Sequence, residues 1–106
     1  MKNSPSRKHL DLLQDARKQV IKLVADANYT VFYLGDGKSA VMSYSLKNYQ
    51  NYLNYPFVRV SKSCIVNLHF LESFCTENKK IQLKDGSEIR VSRRRFEEVC
   101  RNISNF

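Results

Sequence analysis

The chain has 106 residues, with 18 Lys and Arg against 10 Asp and Glu, which gives a formal net charge of +8. This length predicts one domain, and a hydrophobic content of 42% with six Tyr and six Phe excludes a disordered chain. No apolar run approaches the roughly 18 residues of a membrane span, and the segment Met1–Pro5 lacks the apolar stretch of a signal peptide. The composition therefore predicts a small, soluble, basic domain of the cytoplasm.

The positive charge is concentrated at the two ends of the chain. Residues 1–22 hold six basic and two acidic side chains, residues 23–78 hold four of each, and residues 79–106 hold eight and four. A neutral body between basic ends favours a face that binds a polyanion such as nucleic acid. The alternative is a basic surface that only keeps the chain soluble.

The cysteines and histidines indicate no metal site or cofactor. Cys64, Cys75 and Cys100 form no C-x-x-C pair, and His9 and His69 stand alone, whereas zinc sites use closely spaced ligand pairs. We expect reduced thiols, with Cys64 and Cys100 in the core. Because the sequence also lacks the ordered residues of a Ser-His-Asp triad or a convergent carboxylate pair, an enzyme is not expected.

The N-terminal quarter is the least decided part of the chain. Residues 1–16 are predicted to be a basic, flexible segment, and residues 17–106 the folded domain. Between Leu10 and Ala25 the apolar residues fit either a short strand followed by a helical turn or one amphipathic helix, and periodicity does not choose between them.

The next elements are clearer. Asn28–Leu34 is rich in aromatic and β-branched residues and is predicted to be a strand. Gly35–Gly37 then forms a turn, and Lys38–Ser43 returns as the second strand of a hairpin. Ser45 is predicted to cap a short amphipathic helix that ends before Pro56.

Alternation predicts further strands in the second half. Phe57–Ser61 and Phe70–Thr76 are strand candidates, and Cys64–Leu68 between them is short and apolar, which we interpret as one helical turn. Ile81–Lys84 and Ser87–Val91 alternate strongly enough to predict a hairpin.

The last hairpin and the final helix complete the prediction. Asp85-Gly86 is expected to form a type I′ turn. Ser92 is expected to cap a helix with one apolar stripe, formed by Phe96, Val99, Cys100 and Ile103. Since the connections are too short for parallel crossovers, the fold class is mainly β: small antiparallel sheets of six or seven short strands with two short helices.

The segment Ser92-Arg93-Arg94-Arg95 is the strongest candidate for ligand binding. Three arginines in the first turn of a helix face the positive end of its dipole, where each cation costs roughly 0.3–1 kcal/mol. This arrangement is favourable if an anion such as phosphate binds there. The alternative is that Glu97, Glu98 and solvent screen the charge.

Two other segments carry residues suited to nucleic acid. Arg59 and Lys62 flank a strand end beside the hydroxyls of Ser61 and Ser63, a combination common at phosphate contacts. Asn28-Tyr29 pairs a side chain able to recognise adenine with one that stacks or contacts phosphate. An ordinary solvated strand end is the alternative at both places.

In this order and spacing, these segments resemble the LytTR DNA-binding domain, the output module of many bacterial response regulators. The similarity runs from about Val20 to Ile103. Phe57–Leu68 looks like the family's F-x-R-V-H-R-S-[YF]-[LIV]-V-N block, and it is flanked by Ala27–Thr30, Ser45-Leu46, Leu83–Gly86 and Val91–Arg94. The resemblance implies small antiparallel sheets whose loops, rather than a recognition helix, enter successive major grooves. It also implies DNA contacts from Asn28-Tyr29, from Ser61-Lys62-Ser63 and from Ser92-Arg93-Arg94.

The chain departs from the family pattern at three positions. Ser61, Lys62 and Cys64 stand where the family has His, Arg and an aromatic residue. Because Lys lacks the bidentate fork of Arg, phosphate contact at Lys62 is expected rather than base recognition.

The favoured function is sequence-specific binding of double-stranded DNA in a bacterial transcription regulator of a two-component system. A homodimer on paired half-sites and a sensor kinase acting through a receiver domain outside this chain are candidate partners. The alternatives are an autoregulatory or protein-interaction module whose basic face docks an acidic partner, and an RNA-binding β domain.

Overall fold

A computed structural model describes residues 20–106, which fold into two antiparallel sheets, two α-helices and two 3-10 turns. The prediction of a mainly β fold is confirmed, with eight strands in the described residues. The predicted flexible segment 1–16 lies outside them. The strands are β1 Val20–Asp26, β2 Tyr29–Leu34, β3 Ser39–Met42, β4 Phe57–Ser61, β5 Cys64–Asn67, β6 Leu71–Cys75, β7 Lys80–Leu83 and β8 Glu88–Arg90. The helices are α1 Leu46–Gln50 and α2 Phe96–Ser104, and the 3-10 turns are Leu68–Phe70 and Arg93–Arg95.

The larger sheet has the strand order β3-β2-β1-β5-β4, and the smaller has the order β6-β7-β8. Within the larger sheet β1 pairs with both β2 and β5, so it is the central strand. Both interpretations of the Leu10–Ala25 pattern were therefore wrong for Val20–Asp26, which is neither a helical turn nor part of a helix. The part before Val20 lies outside the described residues. Because both faces of β1 are covered, its residues form a nearly continuous apolar run instead of alternating between apolar and polar.

Each face of the larger sheet packs against a different layer. On one face, Leu23, Phe32 and Ile65 meet Leu46 and Tyr49 of α1. The other face packs against the smaller sheet and α2, through a cluster that includes Val60, Cys64, Val66, Ile81, Leu83 and Val99. The larger sheet is thus the middle layer of the described fold.

The predicted helical turn at Cys64–Leu68 was also wrong. Cys64–Asn67 is strand β5, with all four residues buried, and only Leu68 begins a 3-10 turn. As in β1, burial on both faces removes the alternation that identifies a strand. Asn67 fixes this strand end, because its buried side chain donates a 2.8 Å hydrogen bond to the Val20 carbonyl and accepts one from the His69 N–H.

The turn at Asp85-Gly86 differs from the predicted type I′ turn. The Gly86 N–H donates to the Leu83 carbonyl, the Leu83 N–H donates to the Ser87 carbonyl, and Gly86 has φ +89°. These features define a three-residue loop ending in a left-handed glycine. Asp85 is not left-handed, and its carboxylate accepts hydrogen bonds from the Ser87 N–H and hydroxyl.

The predicted helix after Ser45 is confirmed. The Ser45 hydroxyl accepts a 3.4 Å hydrogen bond from the Asn48 N–H, and Leu46 and Tyr49 are buried on the same side. Through these two residues, helix α1 packs against strands β1, β2 and β5 of the larger sheet.

Candidate nucleic-acid interface

The three segments singled out in the sequence lie at one end of the larger sheet. Strands β1 and β4 run toward this end, and β2 and β5 start from it, because β5 pairs antiparallel with both β1 and β4. The β1–β2 turn and the β4–β5 loop are therefore neighbours, about 10 Å apart at two strand spacings. We call this end the contact edge: residues Ala27–Tyr29, Ser61–Ser63 and Ser92–Arg95.

Main-chain hydrogen bonds connect the parts of the contact edge. The Ala25 N–H donates to the Ser63 carbonyl at 2.8 Å, which joins the end of β1 to the β4–β5 loop. The Ser92 N–H donates to the Val60 carbonyl at 2.9 Å, which brings the third segment to the outer side of β4. A cavity of about 420 Å³ is lined by residues that include Ser61, Ser63 and Ser92. The two hydrogen bonds join residues 38 and 32 positions apart in the sequence, so the contact edge is assembled from segments that are remote along the chain.

The β1–β2 turn presents Asn28 and Tyr29 to solvent. Asp26 pairs with Tyr29, so Ala27 and Asn28 form a two-residue turn, and Ala27 has φ 54°. Tyr29 is 52% exposed, which is high for a large aromatic side chain. Both side chains are therefore available to a ligand approaching the contact edge.

Arg59 stabilises the β4–β5 loop through hydrogen bonds to its carbonyl groups. Its Nε donates to the Ser61 carbonyl at 3.1 Å, its Nη2 to the Lys62 carbonyl at 2.6 Å, and its Nη1 to Gln50 Oε1 at 2.7 Å. The planar guanidinium with its fixed donors suits such a cluster of oxygens. In this arrangement Arg59 joins helix α1 to the loop instead of projecting freely from the contact edge.

The loop itself is compact and offers one exposed cation. The Ser63 N–H donates to Ser61 Oγ at 3.2 Å, and the two hydroxyls are 3.5 Å apart. Lys62 is exposed between them, with its carbonyl held by Arg59. Lys62 thus combines a fixed backbone with a side chain free to reach an anion.

The arginine segment differs from the predicted first turn of an α-helix. Arg93–Arg95 form a 3-10 turn, and helix α2 begins only at Phe96, with Glu97 and Glu98 in its first turn. The prediction of three arginines within the positive first turn was therefore wrong, since acidic residues occupy that position as the helix dipole favours. Ser92 precedes the 3-10 turn, but its side chain forms no capping hydrogen bond, and its Oγ is buried with no hydrogen-bond partner among the described residues.

The three arginines have different surroundings. Arg93 and Arg94 are exposed, whereas Arg95 is half-buried on the side facing Arg59. Burial, and then the nearby charge of Arg95, lower the pKa of Arg59 below its usual value. Arg93 and Arg94 are therefore placed to meet an external ligand, and Arg95 lies at the side of the contact edge.

Sequence reasoning missed Gln50. It lies at the end of α1 and is exposed, and only the folded structure brings it to Arg59, nine positions along the chain. Its amide has no distinguishing neighbour in the sequence, so no local signal pointed to this role.

The described residues also bear on metal binding, membrane insertion and thiol reactivity. Residues 20–106 contain no group of three or more His, Cys, Asp or Glu side chains placed to hold a metal ion. Within the same residues, no helix has the length and apolarity needed to cross a membrane. Burial raises the pKa of the Cys64 thiol to about 12, more than the opposing charge of Lys22 lowers it, and Cys64 is buried as predicted. Cys100 is only half-buried, and Cys75 is exposed.

Residues 20–106 thus form a small β domain with a basic edge of loops, and a clustered basic surface is typical of nucleic-acid-binding domains. Comparison with known proteins gives the family. The sequence profile of the LytTr DNA-binding domain matches residues 16–104, so the chain belongs to the LytTr DNA-binding domain family.

A solved structure agrees with the fold. The LytTr DNA-binding domain of a putative methyl-accepting/DNA response regulator from Bacillus cereus superposes with a TM-score of 0.70 at 20% sequence identity. The match covers 85% of this chain and 84% of the Bacillus cereus chain. A search of curated proteins found no match.

Proposed function

We propose that this chain recognises specific sequences in double-stranded DNA through the contact edge and thereby regulates bacterial transcription. The observation that supports the proposal is the convergence of the three segments at one end of the larger sheet, linked by the Ala25–Ser63 and Ser92–Val60 hydrogen bonds. The family membership favours DNA over an acidic protein partner or RNA as the ligand.

Each segment has a separate part in the proposal. Arg93 and Arg94 are exposed arginines, the side chains best suited to bidentate contact with guanine. Lys62 contacts a backbone phosphate, with the Ser61 and Ser63 hydroxyls beside it. Asn28 and Tyr29 contact the DNA on the far side of this loop.

The residues behind these contacts hold them in place. Arg59 positions the loop through the Ser61 and Lys62 carbonyls. Ser92 anchors the arginine segment through its N–H, and Arg95 borders the side of the edge. The proposal makes the chain a binding domain without catalytic residues.

The wider setting follows from the same function. Two copies bind paired half-sites as a homodimer, since DNA sites with two-fold symmetry match two-fold protein dimers. A receiver domain outside this chain, addressed by a sensor kinase, supplies the signal, and the bacterial cytoplasm is the compartment.

The test is selection from a random duplex library at two salt concentrations. We expect a defined consensus, and an affinity that falls with log–log slope of about −0.9 per phosphate neutralised. Competition by single-stranded RNA and by an acidic polypeptide is measured on the selected duplex. Enrichment of no sequence, or displacement of the duplex by the acidic polypeptide at equal concentration, would reject the proposal.

A further inference from the structure

A second cavity lies beside the contact edge. It occupies about 270 Å³ along the outer side of β4, between the end of α1 and helix α2. Polar side chains dominate its lining: Gln50, Asn54, Arg59, Arg95, Glu98 and Asn102. We call it the β4 cleft.

The two arginines of the β4 cleft have unused hydrogen-bonding capacity. A guanidinium has five N–H donors, and Arg59 donates three hydrogen bonds, so two N–H groups remain. The Arg95 side chain forms no hydrogen bond or ion pair within residues 20–106. The cleft therefore holds donors that the described protein does not satisfy.

The positive charge of the cleft is also incompletely neutralised. Arg59 and Arg95 are close enough for the charge of Arg95 to oppose that of Arg59, and both are half-buried. Glu98 is the acidic residue of the lining, yet the ion pairs within the described residues are Lys22–Asp85 and Lys80–Glu88. The lining thus carries two cations and one unpaired anion.

We propose that the β4 cleft binds a phosphate group between the guanidiniums of Arg59 and Arg95. Two guanidiniums that converge on one space match the several oxygens of a phosphate. The phosphate belongs either to the backbone of bound DNA or to a small phosphorylated molecule. The anion site itself does not depend on the proposed function, and only its assignment to DNA does.

Occupancy of the cleft would act on the contact edge through Arg59. The same guanidinium that borders the cleft holds the Ser61 and Lys62 carbonyls. A phosphate bound there neutralises the repulsion between Arg95 and Arg59, and so strengthens the hydrogen bonds from Arg59 to the loop carbonyls. The phosphate and the contact edge are therefore coupled, and each stabilises the other.

The experiment titrates the full chain with inorganic phosphate and follows the side-chain Nε–Hε signals of Arg59 and Arg95 by NMR. Sodium chloride at matched ionic strength is the reference. We expect saturable shifts of both signals with phosphate and none with chloride. Arg95→Gln should weaken phosphate binding about tenfold, Glu98→Gln should strengthen it, and Arg101→Gln, an exposed change outside the cleft, should leave it unchanged.

Two arms identify the source of the phosphate. If DNA supplies it, the selected duplex shifts the Arg95 signal as phosphate does, and phosphate weakens duplex binding more than chloride does. If a small molecule supplies it, phosphate binds duplex-bound protein more tightly than free protein, because the coupling through Arg59 favours both ligands together. Saturable phosphate binding without any duplex binding would keep the anion site and reject the proposed function. The anion site would be overturned if the shifts never saturate with phosphate. It would also be overturned if the Arg59 signal of Arg95→Gln shifts with phosphate as much as that of the wild type.

Discussion

Replacing Arg59 by lysine tests whether this residue positions the β4–β5 loop or contacts DNA itself. The substitution keeps the charge but removes the planar fork that reaches Ser61, Lys62 and Gln50 together. A typical intramolecular hydrogen bond contributes about 0.5–1.5 kcal/mol net. If the lysine ammonium retains one of the three bonds, the loop loses about 1–3 kcal/mol of local stabilisation.

This loss should appear in binding because the loop must be ordered when DNA binds. A cost of about 1–3 kcal/mol corresponds to a factor of about 5–150 in affinity. We expect Arg59→Lys to weaken binding to the selected duplex within this range while leaving the salt slope unchanged. Amide hydrogen exchange should accelerate at Lys62 and Ser63, and the melting temperature should fall little, since the bonds lie at the surface.

Two further variants separate the possible roles of Arg59. Gln50→Ala removes the bond between the Gln50 side chain and Arg59 without changing the charge, and it should weaken binding by a smaller factor in the same way. Lys62→Gln should instead reduce the salt slope by about 0.9, because a phosphate contact is lost. The positioning role is refuted if Arg59→Lys binds with wild-type affinity and its loop amides exchange at wild-type rates.

Further expected outcomes concern the arginines, the thiols and the buried amide. Arg93→Ala and Arg94→Ala should each leave the melting temperature unchanged and weaken specific duplex binding by roughly 1–3 kcal/mol where a guanine contact is lost; binding equal to wild type in both would place the contacts elsewhere. In native protein a thiol reagent should label exposed Cys75 at once and Cys64 only on unfolding, because the Cys64 thiol is buried and its pKa is about 12; rapid labelling of both would contradict the packing. Asn67→Asp should lower the free energy of unfolding by about 1–3 kcal/mol at neutral pH, because a carboxylate oxygen would replace the donor to the Val20 carbonyl. Burial should raise the pKa of the introduced carboxyl in the folded state, so the deficit should shrink as the pH falls and the acid form donates again; equal deficits in melts at acidic and neutral pH would contradict this.

Elements with a local signal could be predicted from the sequence. Ser45 caps α1 through its own hydroxyl, and the alternation of β7 and β8 follows from one buried and one exposed face. Strands β1 and β5 were missed because both their faces are covered, which removes the periodicity that distinguishes strand from helix. Their identity depends on neighbouring strands and layers that are remote in the sequence.

The candidate site shows the same division. Lys62 was singled out by its place at a strand end beside two serine hydroxyls, and Arg93 and Arg94 by their place at a helix start. All three side chains are exposed, and their contact with DNA stays a prediction. The function of Arg59 was not accessible in this way, since it depends on two loop carbonyls and on the end of α1. The sequence prediction put Arg93–Arg95 in the first turn of α2, whereas they form a 3-10 turn before it. Since 3-10 turns are frequent at helix N-termini, the sequence does not separate the two.

Two main-chain hydrogen bonds join the segments of the contact edge to each other, from the Ala25 N–H to the Ser63 carbonyl and from the Ser92 N–H to the Val60 carbonyl. Almost any amino acid supplies these groups, so the spacing between contact points is independent of the side chains displayed there. Under the proposed function, mutation at Asn28 or Arg93 would therefore change which bases are preferred without moving the footprint. Such a domain would acquire new target sites during evolution by exchanging single side chains, while the spacing of its contact points stays constant.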